Sequence, residues 1–180
     1  MNKEKKVALL FKQPFFDVSA ICGRVDEYVD EMKPLLTHPI IQQMKSFRHH
    51  YQINCFEHSV HVSYISYWAC KKLSLDCHSA GRGGLLHDLY LYDCKVAKRY
   101  EHLSCHSKAA LKNAQDYFAL NEIERDIVSK HMWPLTISLP KYPESFIVSM
   151  VDKYCSLKEY AAMKDEIIRV SSIESALVGV

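Results

Sequence analysis

His87 and Asp88 stand side by side in the apolar run Gly84-Leu85-Leu86-His87-Asp88-Leu89-Tyr90, and other histidines lie at wide spacing on both sides. An imidazole and a carboxylate placed together on a buried helix carry a desolvation cost that calls for a compensating partner, most simply a metal ion. The candidates for a shared site are His58, within Glu57-His58-Ser59-Val60-His61-Val62, and downstream His106, His131 and Asp152. A divalent transition metal (Fe, Mn, Co, Ni or Zn) asks for neutral imidazoles, one or two carboxylates that offset its charge, and open positions for water and substrate. His58, His87, Asp88, His106, His131 and Asp152 supply that set. With Asp88 bridging, they could serve one ion or two, the latter about 3.5–4 Å apart as in two-metal hydrolytic sites.

Such a set needs separate helices that project inward. Glycine and proline are few, at five and six residues, and alternating strands bounded by turns are hard to find, so the chain reads as all-α, a compact single-domain bundle over residues 1–180. About seven helices are expected. The first runs from an N-cap at Asp17 to about Met32, with Ile21, Val25, Tyr28, Val29 and Met32 in helical register, and Pro34 stops it. A short helix follows Thr37-His38-Pro39, with Pro39 in its first turn, and continues through Ile41 and Met44. Longer helices are expected at about Cys55–Lys72, Ser79–Asp93, Ser104–Ala119, Asn121–Lys130, Pro143–Glu159 and Ala161–Ile173. Asn121 with Glu124 resembles a capping box, and Pro134, Pro140 and Pro143 mark a crossing loop. The three glycines of Gly81-Arg82-Gly83-Gly84 disfavour a helix by up to about 1 kcal/mol each, so close packing against another helix is the expected reason for them.

Composition bounds the rest. Hydrophobic residues make up 48% of 180, enough for a substantial core, and the formal net charge of +2 gives no broad surface for a nucleic-acid polymer. Seven cysteines without a Cys-x-x-Cys spacing fit neither a disulfide framework nor a zinc ribbon, and reduced thiols in a cytoplasmic protein are the simpler reading. No secretory signal and no run of roughly 20 apolar residues for a membrane span is found.

The order His58, then Leu85-Leu86-His87-Asp88, then Asp152 within Ile147-Val148-Ser149-Met150-Val151-Asp152-Lys153 resembles the HD superfamily of metal-dependent phosphohydrolases over roughly residues 50–159. His106, before Ser107-Lys108-Ala109-Ala110, and His131, after Ile127-Val128-Ser129-Lys130, resemble the extra histidines of two-metal members. The resemblance implies hydrolysis of a small phosphorylated compound, a nucleotide among the candidates, with Asp88 as the catalytic bridging carboxylate that orients the attacking hydroxide. His58, His87 and Asp152 would hold one ion, and His106 and His131 the other. Members carrying a Gly-Tyr-Pro signature act on cyclic dinucleotides; here the region reads His131-Met132-Trp133-Pro134-Leu135 and does not support that substrate. Leu91 stands where many relatives carry a lysine three residues after the aspartate.

Plainer roles compete at several positions. His61 lies one helical turn from His58, His102 one turn before His106, and His131 could simply cap its helix. His49 and His50 precede the first metal helix and could line a pocket entrance; His50, His61 and Lys153 are the candidate substrate contacts. Arg82 and Lys98 could also meet phosphate, although lysine and arginine are mostly solvated. Glu57 reads as structural or as a support for the first ligand. A metal-binding regulatory module without hydrolysis is the runner-up function, and a di-iron oxygenase on the same scaffold a third.

Overall fold

The computed structural model describes residues 23–49, 53–91, 99–160 and 170–178. Eight α-helices are present among them: α1 Val25–Leu36, α2 Pro39–Gln43, α3 Cys55–Lys72, α4 Cys77–Leu86, α5 Arg99–Tyr117, α6 Glu122–Lys130, α7 Pro143–Tyr160 and α8 Val170–Val178. A 3-10 turn, Met44–Ser46, prolongs α2, and the described residues contain no strand, only an isolated bridge between Arg48 and Asn54. The all-α expectation therefore holds.

α3 is the axis of the bundle. From Cys55 to Cys70 every residue except Glu57 is buried, so this helix has no solvent face. α4 and α7 flank it, α6 packs on both of these, and α1 packs on α4. One apolar cluster runs through these elements, from Tyr28 and Met32 of α1 through Val60, Ile65 and Leu85 to Ile127 and Val148. Where α1, α3 and α4 meet, one small polar residue of the axis is satisfied from both sides. Tyr28 Oη donates to Ser63 Oγ at 2.7 Å, and Ser63 Oγ donates onward to the Gly81 carbonyl at 2.6 Å, joining α1, α3 and α4.

The glycines of α4 do allow close approach. A Cβ at Gly84 would fall 2.8 Å from Ser63 Cα and 3.0 Å from Ser63 N, both main-chain atoms of α3, and a Cβ at Gly83 would fall 2.6 Å from Ile127 of α6.

Helix starts follow side-chain capping. Asn121 and Glu124 form the expected capping box of α6, and Asn54 with Glu57 builds the same device at α3. Glu57 is thereby structural: its carboxylate accepts the Asn54 N–H at 3.1 Å. His58 sits in the first turn of α3, one residue beyond that box, so the cap also anchors a site residue. Asn54→Ala is expected to lower stability by about 1 kcal/mol, read as a shift of the urea midpoint without a change in slope.

Several boundaries differ from expectation: α1 starts at Val25, after non-helical Gly23 and Arg24, and α5 runs Arg99–Tyr117 in place of about Ser104–Ala119. Pro34 lies inside α1, which runs to Leu36; a proline in the last turn forfeits one hydrogen bond, and Thr37 still closes the helix by donating its N–H (3.0 Å) and Oγ1 (2.8 Å) to the Lys33 carbonyl. α8 continues past Ile173 to Val178. The largest difference concerns α4, which starts at Cys77 on an Asp76 cap and ends at Leu86 instead of Asp93. His87–Asp88 is thus a turn at the helix end and not part of its interior. The imidazole itself explains the stop: His87 Nδ1 donates to the Gly84 carbonyl at 2.7 Å, the acceptor that another helical turn would use for the Asp88 N–H. Leu91 then takes a left-handed φ of 51° and the chain leaves the helix axis. The expected cap at Asp17 and the start of the last helix at Ala161 lie outside the described residues.

No described helix is long and apolar enough to cross a membrane. No disulfide joins the described cysteines; Cys55, Cys70 and Cys155 are buried and Cys77 partly so.

Candidate metal centre

Five elements bring histidines and aspartates to one buried spot. α3 contributes His58, the turn after α4 contributes His87 and Asp88, α5 contributes His106, the end of α6 contributes His131, and α7 contributes Asp152. All six are nearly inaccessible, from fully enclosed His58 and His87 to Asp152 at 6% exposure. The turn that carries the dipeptide is fastened from both sides. Cys55 Sγ donates to the Asp88 carbonyl at 3.2 Å, and Asn113 of α5 donates to the Leu89 carbonyl at 2.7 Å.

Asp88 lies between two groups of imidazoles. Its Oδ2 faces His87 Nε2 at 3.5 Å, His49 Nδ1 at 3.5 Å and His58 Nε2 at 4.0 Å. Its Oδ1 faces the other way, 3.4 Å from His131 Nε2 and 3.6 Å from His106 Nε2. Asp152 Oδ1 closes the first group at 3.2 Å from His58 Nε2 and 3.9 Å from His87 Nε2. In the second group His106 Nε2 and His131 Nε2 are 2.8 Å apart. Neighbouring ligands of an ion bound at 2.0–2.1 Å lie about 3–3.4 Å apart, so small adjustments bring either group to coordination distances. The sets His58–His87–Asp88 and Asp88–His106–His131 each gather three ligand atoms within 4.8 Å of one another.

Hydrogen bonds behind the rings decide which nitrogen points inward. His87 Nδ1 is held by the Gly84 carbonyl, His131 Nδ1 by the Val128 carbonyl at 2.9 Å, and His58 Nδ1 by the Glu159 carboxylate at 2.9 and 3.0 Å. Each arrangement turns a lone pair on Nε2 toward the centre in the neutral ring, the orientation that metal-ligating histidines take. His87 Nε2 shows why a cation fits. It is buried without a hydrogen-bond partner, and the groups nearest to it include Asp88 and Asp152 oxygens, which can only accept. With the ring neutral, its lone pair and those oxygens repel, and a positive charge between them, a bound ion or a proton on Nε2, removes the repulsion.

The electrostatics agree. Burial opposes ionisation of Asp88, yet His87, His131 and His49 outweigh it and hold the carboxyl well below the ordinary range. Asp152 is likewise depressed against its burial, by Lys153, His58 and His87. Burial alone would push the His58 imidazole down, but Glu159 and Asp152 raise it to about 10. Its Nε2 therefore carries a proton at neutral pH that any ion must displace. Metal affinity is expected to rise by about tenfold per pH unit between pH 6 and 8, because binding releases that proton; a Mn(II) titration at three pH values, with proton release followed in weak buffer, measures it.

Two members of the cluster, Glu159 and His49, lie outside the ligand set expected from the sequence. Glu159 follows Asp152 by seven residues, two turns along the same face of α7, a spacing that could have drawn attention to it. It also lies 3.7 Å from His61 Nδ1, so His61 faces Glu159, whereas His58 faces the centre. His49, expected at a pocket entrance, stacks its ring on His58 at 3.9 Å, and its Nδ1 meets Tyr90 Oη at 3.1 Å. No feature of the sequence separates it from its neighbour His50, which, like Lys98, lies outside the described residues. Lys153 Nζ donates to Asp152 Oδ2 at 2.6 Å and to the His131 carbonyl at 2.7 Å. Arg82 is taken up away from the centre, where it donates to Glu124 at 2.6 Å.

Compared with protein-family models, with curated proteins and with solved structures, the chain finds no match.

Proposed function

We propose that this protein is a metal-dependent phosphohydrolase of the HD type that cleaves a small phosphorylated compound. The observation that carries this reading is Asp88, a buried carboxylate whose two oxygens face two separate groups of imidazoles. His58, His87, Asp88 and Asp152 would hold one divalent ion, and Asp88, His106 and His131 a second. Such ions supply Lewis acidity that brings the pKa of water toward neutrality, and positive charge opposite phosphoryl oxygens.

The chain's own residues set the conditions. Glu159, Gly84 and Val128 fix the rings of His58, His87 and His131 from behind, so that little reorganisation is needed when the site fills. Asp88 stays ionised in a buried setting and orients the water that attacks phosphorus. Hydrolysis then adds the water oxygen to phosphorus and breaks one P–O ester bond, leaving phosphate and an alcohol. The low polarity of the surrounding core, with Leu89 and Tyr90 buried beside the turn, strengthens every charge interaction at the centre.

The experiment is a metal-stripped full chain reloaded with Mn, Fe, Co, Ni or Zn and offered nucleotides and simple phosphoesters, with phosphate release measured alongside metal content. Turnover of at least one phosphoester, dependent on the added metal, is the expected result. Full metal occupancy without phosphate release from any compound overturns the hydrolase and leaves a metal-binding regulatory module. Oxygen uptake by a mixed-valent iron pair points instead to an oxygenase.

A further inference from the structure

Lys153 follows Asp152 on α7, and its ammonium is shared between the two halves of the centre. It donates to Asp152 Oδ2, part of the first ion position, and to the main-chain carbonyl of His131, whose ring belongs to the second. The carbonyl is one of the acceptors left over at the end of α6, where a cation also meets the negative end of the helix dipole. With Oδ2 engaged by Lys153, Asp152 presents Oδ1 inward, toward His58 and His87.

We propose that Lys153 is a positioning residue that braces both ion positions at once, holding Asp152 to a single inward oxygen and tying it to the backbone of His131. This rests on the two-ion reading given above. Two consequences separate it from an ordinary surface cation. Loss of Lys153 weakens the second ion position although Lys153 bonds none of its ligating atoms, and it weakens the first because Asp152 is no longer held with Oδ1 toward His58 and His87. Guanidinium, with its several donors, can meet both acceptors, so arginine substitutes better than a neutral side chain of similar length.

The test uses the full chain stripped of metal and titrated with Mn(II), with free Mn followed by electron paramagnetic resonance, and a parallel Co(II) titration followed by visible absorption. In the wild type two ions bind. In Lys153→Met both constants weaken, by about 10- to 100-fold, and the Co(II) bands shift; Lys153→Arg recovers most of the affinity at both positions. Melting of the metal-free proteins records any change in packing alone. Should Lys153→Met fail to fold, Lys153→Gln carries the same comparison. Unchanged Mn constants in a folded variant overturn the bracing role while the two-ion reading stands, and so does weakening at one position only. Uptake of no more than one ion by the wild type removes the two-ion reading and this inference with it.

Discussion

Asp88→Ala is expected to empty both ion positions together and to lower metal-dependent phosphate release by at least about 10³-fold, the scale of losing a group that organises developing charge at the centre. The reason is geometric. Each oxygen of this carboxylate serves a different group of imidazoles, so one truncation takes a ligand from His58 and His87 on one side and from His106 and His131 on the other. It also leaves a cluster of buried imidazoles without the anion that faces them, which raises the cost of placing any cation among them. Asp88→Asn separates the two halves, because a carboxamide keeps only one oxygen for coordination. Asn is expected to retain about one ion per chain by elemental analysis, and Ala close to none. Two ions retained in the Ala variant would remove the proposed centre altogether.

The second large effect is on stability, and it comes from a residue that touches no ligand with its side chain. Gly84→Ala should destabilise the protein by about 1–3 kcal/mol. Two effects oppose each other here. Alanine favours a helix by about 1 kcal/mol over glycine, but its Cβ would sit 2.8 Å from the Ser63 main chain, and no rotamer change relieves a clash with backbone. α3 and α4 must move apart. Because the Gly84 carbonyl also holds His87 Nδ1, the same shift displaces the ring, and metal affinity is expected to fall together with the urea midpoint. An Ala variant as stable as the wild type, with unchanged Mn affinity, would show that the two helices separate freely.

Periodicity made most of the helices legible. α3, α6 and α7 match the expected ranges within a residue or so, since apolar residues in helical register, with side-chain caps at α3 and α6 and Pro143 opening α7, leave few alternatives. What was missed has local physical causes. The Asn54–Glu57 box has the same signature as Asn121–Glu124, yet only the latter was read. The expected helix at about Ser79–Asp93 places His87–Asp88 in its interior; the competition of an imidazole for its own helix's carbonyl is not visible in residue type or spacing. The six clustered residues were found from residue type and order. Glu159 and His49 were not, because their roles depend on the packing of α7 and of the segment before α3 against His58. Lys153 was read as a substrate contact; the carbonyl it meets belongs to an element 22 residues away.

α4 and α6 share a construction that links sequence length to chemistry. Their starts are joined by Asn121 Nδ2 donating to Ser79 Oγ at 2.8 Å and by Arg82 meeting Glu124, and each ends at a histidine bonded to a carbonyl three residues back. The rings at those ends stand 4.9 Å apart. Two short helices, of ten and nine residues, therefore act as rulers of matched length measured from a common baseline. Adding or deleting one residue in either ruler would move its histidine by about 1.5 Å forward or back along the axis and turn it by about 100° away from its counterpart. Descendants of this chain are therefore free to exchange many outward-facing residues, but insertions and deletions between the caps and these histidines are closed to them while the centre is kept.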